Sequence, residues 1–281
     1  MARKATRSGT QAARKKQTVP MSEKADRHAL YEEAVQCAEA EIDFVDETFE
    51  KLRGHKATWL REDFCGTANT ACEWVRRGPN NHAIGVDLDS EVQQWGENHH
   101  LASLGTSRDR IELLTEDVTQ VTCRKVEIVL AMNFSYWIFK DRDRLRQYFS
   151  HVRAGLEEGG LFMLDAYGGA DAHREIRERT KQDGFTYIWD QKSYDPITGD
   201  IRCHIHFSFP DGTKLKRAFT YDWRLWSLPE IREILLEAGF ARVTVYWEGT
   251  DEETDEGNGE FTPAEHGEAD DAFIAYIVAE K

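Results

Sequence analysis

Apolar residues recur along residues 22–54 at the spacing of amphipathic helices. Leu30, Ala34, Cys37 and Ala38 form one stripe, and Ile42, Val45, Phe49 and Leu52 form another. Two helices are predicted there, the second stopping at Gly54. The period then changes. Thr58-Trp59-Leu60 opens a strand that ends near Phe64, and short apolar runs follow at 82–86, 111–114, 126–131 and 161–164. Helical patterns fill the gaps, at about 68–75, 88–104 and 145–156. Continuous apolar strands are buried on both faces, as in a parallel sheet, and strands that alternate with helices make right-handed crossovers.

From residue 185 the rhythm becomes extended. Segments 185–189, 201–209 and 215–221 read as strands, the last two joined by a Pro210-Asp211-Gly212 turn. A helix over 228–238 stops at Gly239, and strands are expected at 242–247 and 273–278. The expectation is one α/β domain over 22–281, with N-terminal helices at 22–54 and an antiparallel β insertion at 183–222. Residues 248–271 hold eleven acids and no Lys or Arg, and read as a solvated acidic loop.

Charge is distributed unevenly. The net charge is −15, yet residues 1–20 carry six Lys/Arg and no acid. Residues 1–21 are therefore expected to be a disordered basic tail, with Met21 offering an alternative start of translation. The acidic remainder repels a phosphate backbone, which argues against nucleic acid as a partner of the fold. No apolar run approaches the roughly 18–20 residues that span a bilayer, and no secretory signal is evident. Five scattered cysteines contain no Cys-x-x-Cys pair, so a cytoplasmic protein without a disulfide framework is expected. His204 and His206 alternate onto one strand face and do not by themselves make a zinc site; no metal is expected.

The segment Leu60-Arg61-Glu62-Asp63-Phe64-Cys65-Gly66-Thr67-Ala68 runs from a strand through a small-residue turn into a helix. Ligands of open α/β sheets bind beyond the carboxyl ends of such strands. The turn has neither Gly-x-Gly-x-x-Gly nor Gly-Lys-Ser/Thr, and its two acids repel phosphate, so it is not built for a diphosphate. Asp87 ends the second strand, where a carboxylate can accept both hydroxyls of a ribose. Asp117 follows the third strand, within reach of an adenine amino group. The fourth strand ends in Met132-Asn133-Phe134-Ser135-Tyr136-Trp137. Acids in register at successive strand ends point to a nucleoside site.

With these residues the chain resembles the class I S-adenosylmethionine-dependent methyltransferases over about residues 25–281. More narrowly it is similar to a bacterial and plant subgroup marked by Arg-Glu-Asp-Phe-Cys-Gly-Thr (61–67), Asn-Phe-Ser (133–135), Tyr-Gly-Gly (167–169) and Trp-Arg-Leu-Trp-Ser-Leu-Pro-Glu (223–230). Phe64 and Ala68 stand where that family usually has glycines. The resemblance implies a Rossmann-like fold, with a mostly parallel seven-stranded sheet, helices on both faces and an N-terminal helical lid. It implies S-adenosyl-L-methionine as cofactor, with Cys65, Gly66 and Thr67 near the methionine portion, Asp87 at the ribose, and Asp117 with Val118 at the adenine. Arg61, Glu62, Leu88 and Asn133 complete the expected cofactor contacts.

Methyl transfer needs an acceptor placed in line with the sulfonium in a dry site. Tyr31, Asn133, Tyr136, Tyr167 and Arg224 are the candidate catalytic residues, with Trp223 and Trp226 as further wall. Aromatic faces favour cations. Arg224 reads either as a clamp for an anionic acceptor or as the partner of Glu230. A methyltransferase of small molecules is expected. The competing functions are a protein or RNA methyltransferase recruited by the basic tail, and a non-catalytic S-adenosylmethionine-binding protein. No Asn-Pro-Pro-Tyr-type motif follows the fourth strand.

Overall fold

The computed structural model describes residues 19–251 and 257–281. The basic tail through residue 18 and part of the acidic segment, 252–256, lie outside the described residues.

Three helices precede the sheet: α1 (Met21–Lys24), α2 (Arg27–Val35) and α3 (Ala38–Arg53). Asp26 caps α2 by accepting from the His28 and Ala29 amides. Gly54 ends α3 in the left-handed region, at φ 75°. Alternation then begins with β1 (Trp59–Asp63), α4 (Asn69–Arg77), β2 (His82–Asp87), α5 (Ser90–His99), β3 (Ile111–Thr115) and β4 (Val126–Ala131). It continues through α6 (Arg142–Gly155) and β5 (Leu156–Gly168). Strand β1 pairs parallel with β2 and β4, β2 with β3, and β4 with β5.

Successive residues of these strands serve opposite layers. Val129 and Phe162 enter the core under α6, whereas Ile128, Leu130 and Met163 enter the core under α3 and α4. This two-sided burial explains the unbroken apolar runs, each large buried side chain contributing about 1.5–3 kcal/mol.

The expected insertion is a separate antiparallel sheet of β6 (Ile176–Lys181), β7 (Thr186–Tyr194), β8 (Asp200–Ser208) and β9 (Lys214–Arg224), in that order. It begins earlier than residue 183 because β6 is almost wholly exposed and carries no apolar signal. Leu30, Tyr31, Ala34 and Val35 of α2 pack on its Phe185, Ile205 and Phe207. The chain returns through α7 (Leu228–Glu237), opened by a Ser227–Glu230 capping box, to β10 (Arg242–Thr250), β11 (Gly257–Ala264) and β12 (Phe273–Glu280).

The large sheet therefore has eight strands, ordered β11-β10-β12-β5-β4-β1-β2-β3, not seven. The extra strand, β11, lies inside the segment read as an acidic loop and pairs with β10. It is an exposed edge, and its Phe261 turns inward, onto Phe44 and Tyr276. Among the described residues no helix is long and apolar enough to cross a membrane.

Candidate active site

The turn after β1 takes the left-handed region three times, at Phe64 (φ 59°), Gly66 (φ 50°) and Ala68 (φ 58°). The two positions where the sequence lacks glycine thus adopt glycine-like backbone, at a cost of roughly 1–2 kcal/mol each. The turn is held from several sides. The Cys65 amide donates to Val86 O at 3.0 Å, and the Gly66 amide donates to Asp87 Oδ2 at 2.8 Å. Helix α5 approaches so closely that a Cβ on Gly96 would lie 2.1 Å from Thr67 O. A Cβ on Gly66 would meet nothing within 4 Å, because it would project into open space. Such strain persists only where the surrounding contacts hold it in place.

That space is a cavity of about 590 Å³ lined by Glu62, Gly66, Asp87, Asn133, Tyr221 and their neighbours. Glu62 is buried and accepts the Ala71 amide at 2.9 Å, bracing β1 against the start of α4. Burial pushes its carboxyl up to about 8. Burial also raises the Asp87 carboxyl, which accepts the Gly66 amide through Oδ2 and the Asp89 amide through Oδ1.

A second chamber of about 400 Å³ adjoins the first, with Tyr31, Asn133 and Tyr221 lining both. Its walls include Tyr187, Trp189, Trp223 and Tyr276, and its charged lining residues are Glu41, Asp165 and Glu178. Asn133 (φ 57°) and Phe134 (φ 56°) form another left-handed pair at the end of β4. Both of their amides donate to the Asp165 carboxylate at 2.9 Å. Burial pushes Asp165 up to about 7, and the charge on Glu41 adds to the shift.

Helix α2 crosses the larger cavity and is tied down along its length. Trp95 Nε1 donates to Asp26 at 2.6 Å. Glu32 accepts the Thr67 hydroxyl at 2.5 Å and lies 2.7 Å from His100 Nε2. Asn69 donates to Gln36 at 3.3 Å.

Tyr31, Glu62, Cys65, Gly66, Thr67, Asp87 and Asn133 all line the larger cavity, and Tyr167 lines the smaller one. The other candidates are elsewhere. Arg61 is 1% exposed and is spent on Asp63, at 2.7 and 3.0 Å, beneath the Tyr148 hydroxyl. Tyr136 is fully buried and donates to Asp165 O, so its ring is core. Leu88 is 69% exposed. Asp117 caps its own turn by accepting the Thr119 amide and hydroxyl, and Val118 is core. Neither lines either chamber.

Arg224 points away from both chambers. Its guanidinium lies 3.7 Å over Trp226, with Lys140 O at 3.1 Å and Glu230 at 3.4 Å. Of its two readings, the structure has the ion pair with Glu230. His204 and His206 do share a strand face, where they meet Thr220 and Asp190.

Sequence reasoning passed over Glu32, Glu41 and Asp165. Two of them carried a signal. Glu41 stands one turn from both Cys37 and Val45, on an apolar stripe, and Asp165 is the lone acid in the apolar run 161–166.

No protein-family model and no curated protein sequence matches the chain. Solved structures do. A S-adenosylmethionine-dependent methyltransferase from Clostridium acetobutylicum ATCC 824 superposes with a TM-score of 0.66 at 17% identity, covering 90% of this chain and 96% of that one. CalS10, an amino pentose methyltransferase from Micromonospora echinaspora solved with S-adenosylmethionine bound, gives 0.63 at 16% identity, covering 90% and 95%. The sugar N-methyltransferase KedS8 from a Streptoalloteichus species gives 0.62 at 17% identity, covering 100% and 98%. The chain therefore has the Rossmann-like fold of S-adenosylmethionine-dependent methyltransferases.

Proposed function

We propose that the protein is an S-adenosylmethionine-dependent methyltransferase of small molecules. The observation that carries this reading is the strained Phe64–Ala68 turn, with Gly66 open to a cavity and its amide fixed by Asp87. Such a turn leaves room for a ligand to lie against the main chain. The residues present fit the cofactor. Glu62 is a buried acid and Asp87 a half-buried one, both met by backbone amides, a setting that suits a ligand carrying positive charge.

Bound there, S-adenosylmethionine would supply an electrophilic methyl group on a sulfonium. The chain's own work is placement. Asp87 would hold the ribose while keeping Gly66 in position, and Glu62, Cys65, Gly66 and Thr67 would surround the methionine portion. The β3 turn with Asp117 and Val118 would reach the adenine only after adjusting toward Asp87. Asn133 and Tyr31 stand at the junction of the chambers and would border the methyl group. Tyr167 would line the acceptor side. Helix α2 and strand β9 cover both chambers and would act as the lid that excludes water.

The chamber's volume of about 400 Å³ is that of a small-molecule site and supports a small acceptor over a polymer. Calorimetry tests the reading. S-adenosylmethionine and S-adenosylhomocysteine should bind in the micromolar range, roughly −7 to −8 kcal/mol. No heat with either, together with binding of a nicotinamide dinucleotide, would overturn it. Turnover to S-adenosylhomocysteine with a metabolite extract would separate an enzyme from a binding protein.

A further inference from the structure

We propose that the acceptor is a cationic amine, held in the 400 Å³ chamber by Glu41 and Asp165 beneath aromatic faces. The inference rests on reading the adjoining cavity as the cofactor site. Three independent features of the chamber carry it.

The first is charge. Glu41, Asp165 and Glu178 are the charged groups lining the chamber, and no Lys, Arg or His is among them. The neighbouring cavities differ. Arg27, His28 and Arg217 reach the cofactor-side cavity, and Arg224 and His173 reach the cavity beyond Tyr167. The chamber thus repels anions on every side, in contrast to an Arg224 clamp.

The second is an incompletely used buried carboxylate. Glu41 is 8% exposed and faces the chamber. One of its oxygens accepts the Thr70 hydroxyl at 3.2 Å, and the other meets no hydrogen-bond donor among the described residues. A buried carboxylate without a counter-charge is costly, and an ammonium ligand removes that cost.

The third is the wall. Tyr31, Tyr187, Trp189, Tyr221 and Tyr276 are each only partly buried, so ring surface is left for a ligand. Tyr221 stacks on Trp223 with centroids 4.2 Å apart, which fixes both rings. Ring faces attract ammonium groups and add little to the binding of a neutral hydroxyl.

The chemistry balances within the site. A bound ammonium must first lose a proton, because its nitrogen has no free electron pair. Asp165 is anchored by two amides where the chambers meet, and a carboxyl pushed up to about 7 is matched to taking that proton near neutral pH. The freed pair then forms the N–C bond to the methyl group as the C–S bond breaks. The electrons of that bond stay on sulfur, giving the neutral thioether. The proton leaves from Asp165 to solvent on product release.

The test uses full-length protein and two probes of one shape, choline and its neutral isostere 3,3-dimethylbutan-1-ol. Binding is read by the fluorescence of Trp189 and Trp223, with and without saturating S-adenosylhomocysteine. Choline should bind at least tenfold more tightly. Glu41→Gln should reduce that preference to less than threefold while leaving S-adenosylhomocysteine affinity unchanged by calorimetry. Glu178→Gln, on the exposed edge strand β6, should lower the preference by a smaller factor. Equal binding of the two probes by the wild-type protein, or tighter binding of 3,3-dimethylbutanoate, overturns the proposal. The two readings fail separately. Choline selectivity without S-adenosylhomocysteine binding would overturn the cofactor assignment alone, and the reverse pattern would overturn the amine assignment alone.

Discussion

Around Gly66 the cleft is made of main chain, whereas around Trp189 it is made of side chains. The floor of the larger cavity is shaped by one turn, three left-handed residues and the carboxylates of two adjacent strands. The aromatic chamber draws its wall from α2, α3, β5, β7, β9 and β12, segments that span some 245 residues of chain from Tyr31 to Tyr276. A site built from local backbone tolerates few substitutions but leaves a short, readable motif. A site assembled from distant side chains leaves almost none, and its chemistry can be altered one ring or one acid at a time.

The contrast is sharpest if residues of the turn are altered for different reasons. Arg61→Ala should have the largest effect, on stability. It strands the Asp63 carboxylate in the core, and breaking a buried pair costs about 3–5 kcal/mol. Thermal denaturation should show a drop of roughly 10 °C, while the protein that remains folded binds S-adenosylhomocysteine normally. Loss of binding without loss of stability would return Arg61 to the cofactor. Gly66→Val and Asp87→Ala should do the opposite. A β-branched residue at φ 50° is strained and would fill the open side of the turn, so affinity should fall at least a hundredfold. Asp87→Ala removes charged hydrogen bonds worth about 1.5–3 kcal/mol, a ten- to hundredfold loss. Calorimetry decides both. An unchanged dissociation constant for either would move the cofactor away from this turn.

The same division explains what the sequence reveals. Strands β2 and β4 are legible because both of their faces are buried and most of their positions are apolar, and β1 because it opens on Trp59-Leu60. Strands β6 and β11 are not, because an edge strand facing water can carry any polar residue. In the site, Glu62, Gly66 and Asp87 follow from their places at strand ends. Arg61 and Tyr136 mislead because neighbours in sequence point to opposite sides of a strand or turn. Arg61 alternates with Glu62 into the α6 layer beside Tyr148, and Tyr136 folds back beneath β5. Glu41 and Asp165 acquire meaning only when α3 and β5 are brought to one chamber.

Protonation gives a subtler probe of the two chambers. Glu62 belongs to the first and Asp165 to the second, and both carboxyls are raised, to about 8 and about 7. Between pH 5 and 8 the native protein retains protons that the unfolded chain, with ordinary carboxyls, has already released. Stability contributed by these groups is therefore fully present at low pH and is lost as pH rises through 7 and 8. The melting temperature of the ligand-free protein should fall across this range by about 2–4 °C for each kcal/mol lost. Glu62→Gln should flatten the upper part of the slope, and Asp165→Asn the lower. If neither variant changes the slope, these two acids are not the titrating groups.

Arg224→Lys should have the smallest effect, and it separates the acceptor chamber from the scaffold behind it. The guanidinium stacks on Trp226, donates to Lys140 O and reaches Glu230, whose other oxygen closes the capping box of α7. Lysine keeps the charge but loses the flat stacking surface and the second donor. A cation–π contact open to solvent on one side is worth about 0.5–1 kcal/mol and a surface ion pair about 0–1 kcal/mol. A fall of a few degrees in melting temperature is the expected outcome. The Michaelis constant for the acceptor should stay within twofold of wild type, because Arg224 does not line the chamber proposed to hold it. A tenfold rise with folding intact would place Arg224 on the substrate. That result would also favour an anionic acceptor and reverse the charge argued from Glu41 and Asp165.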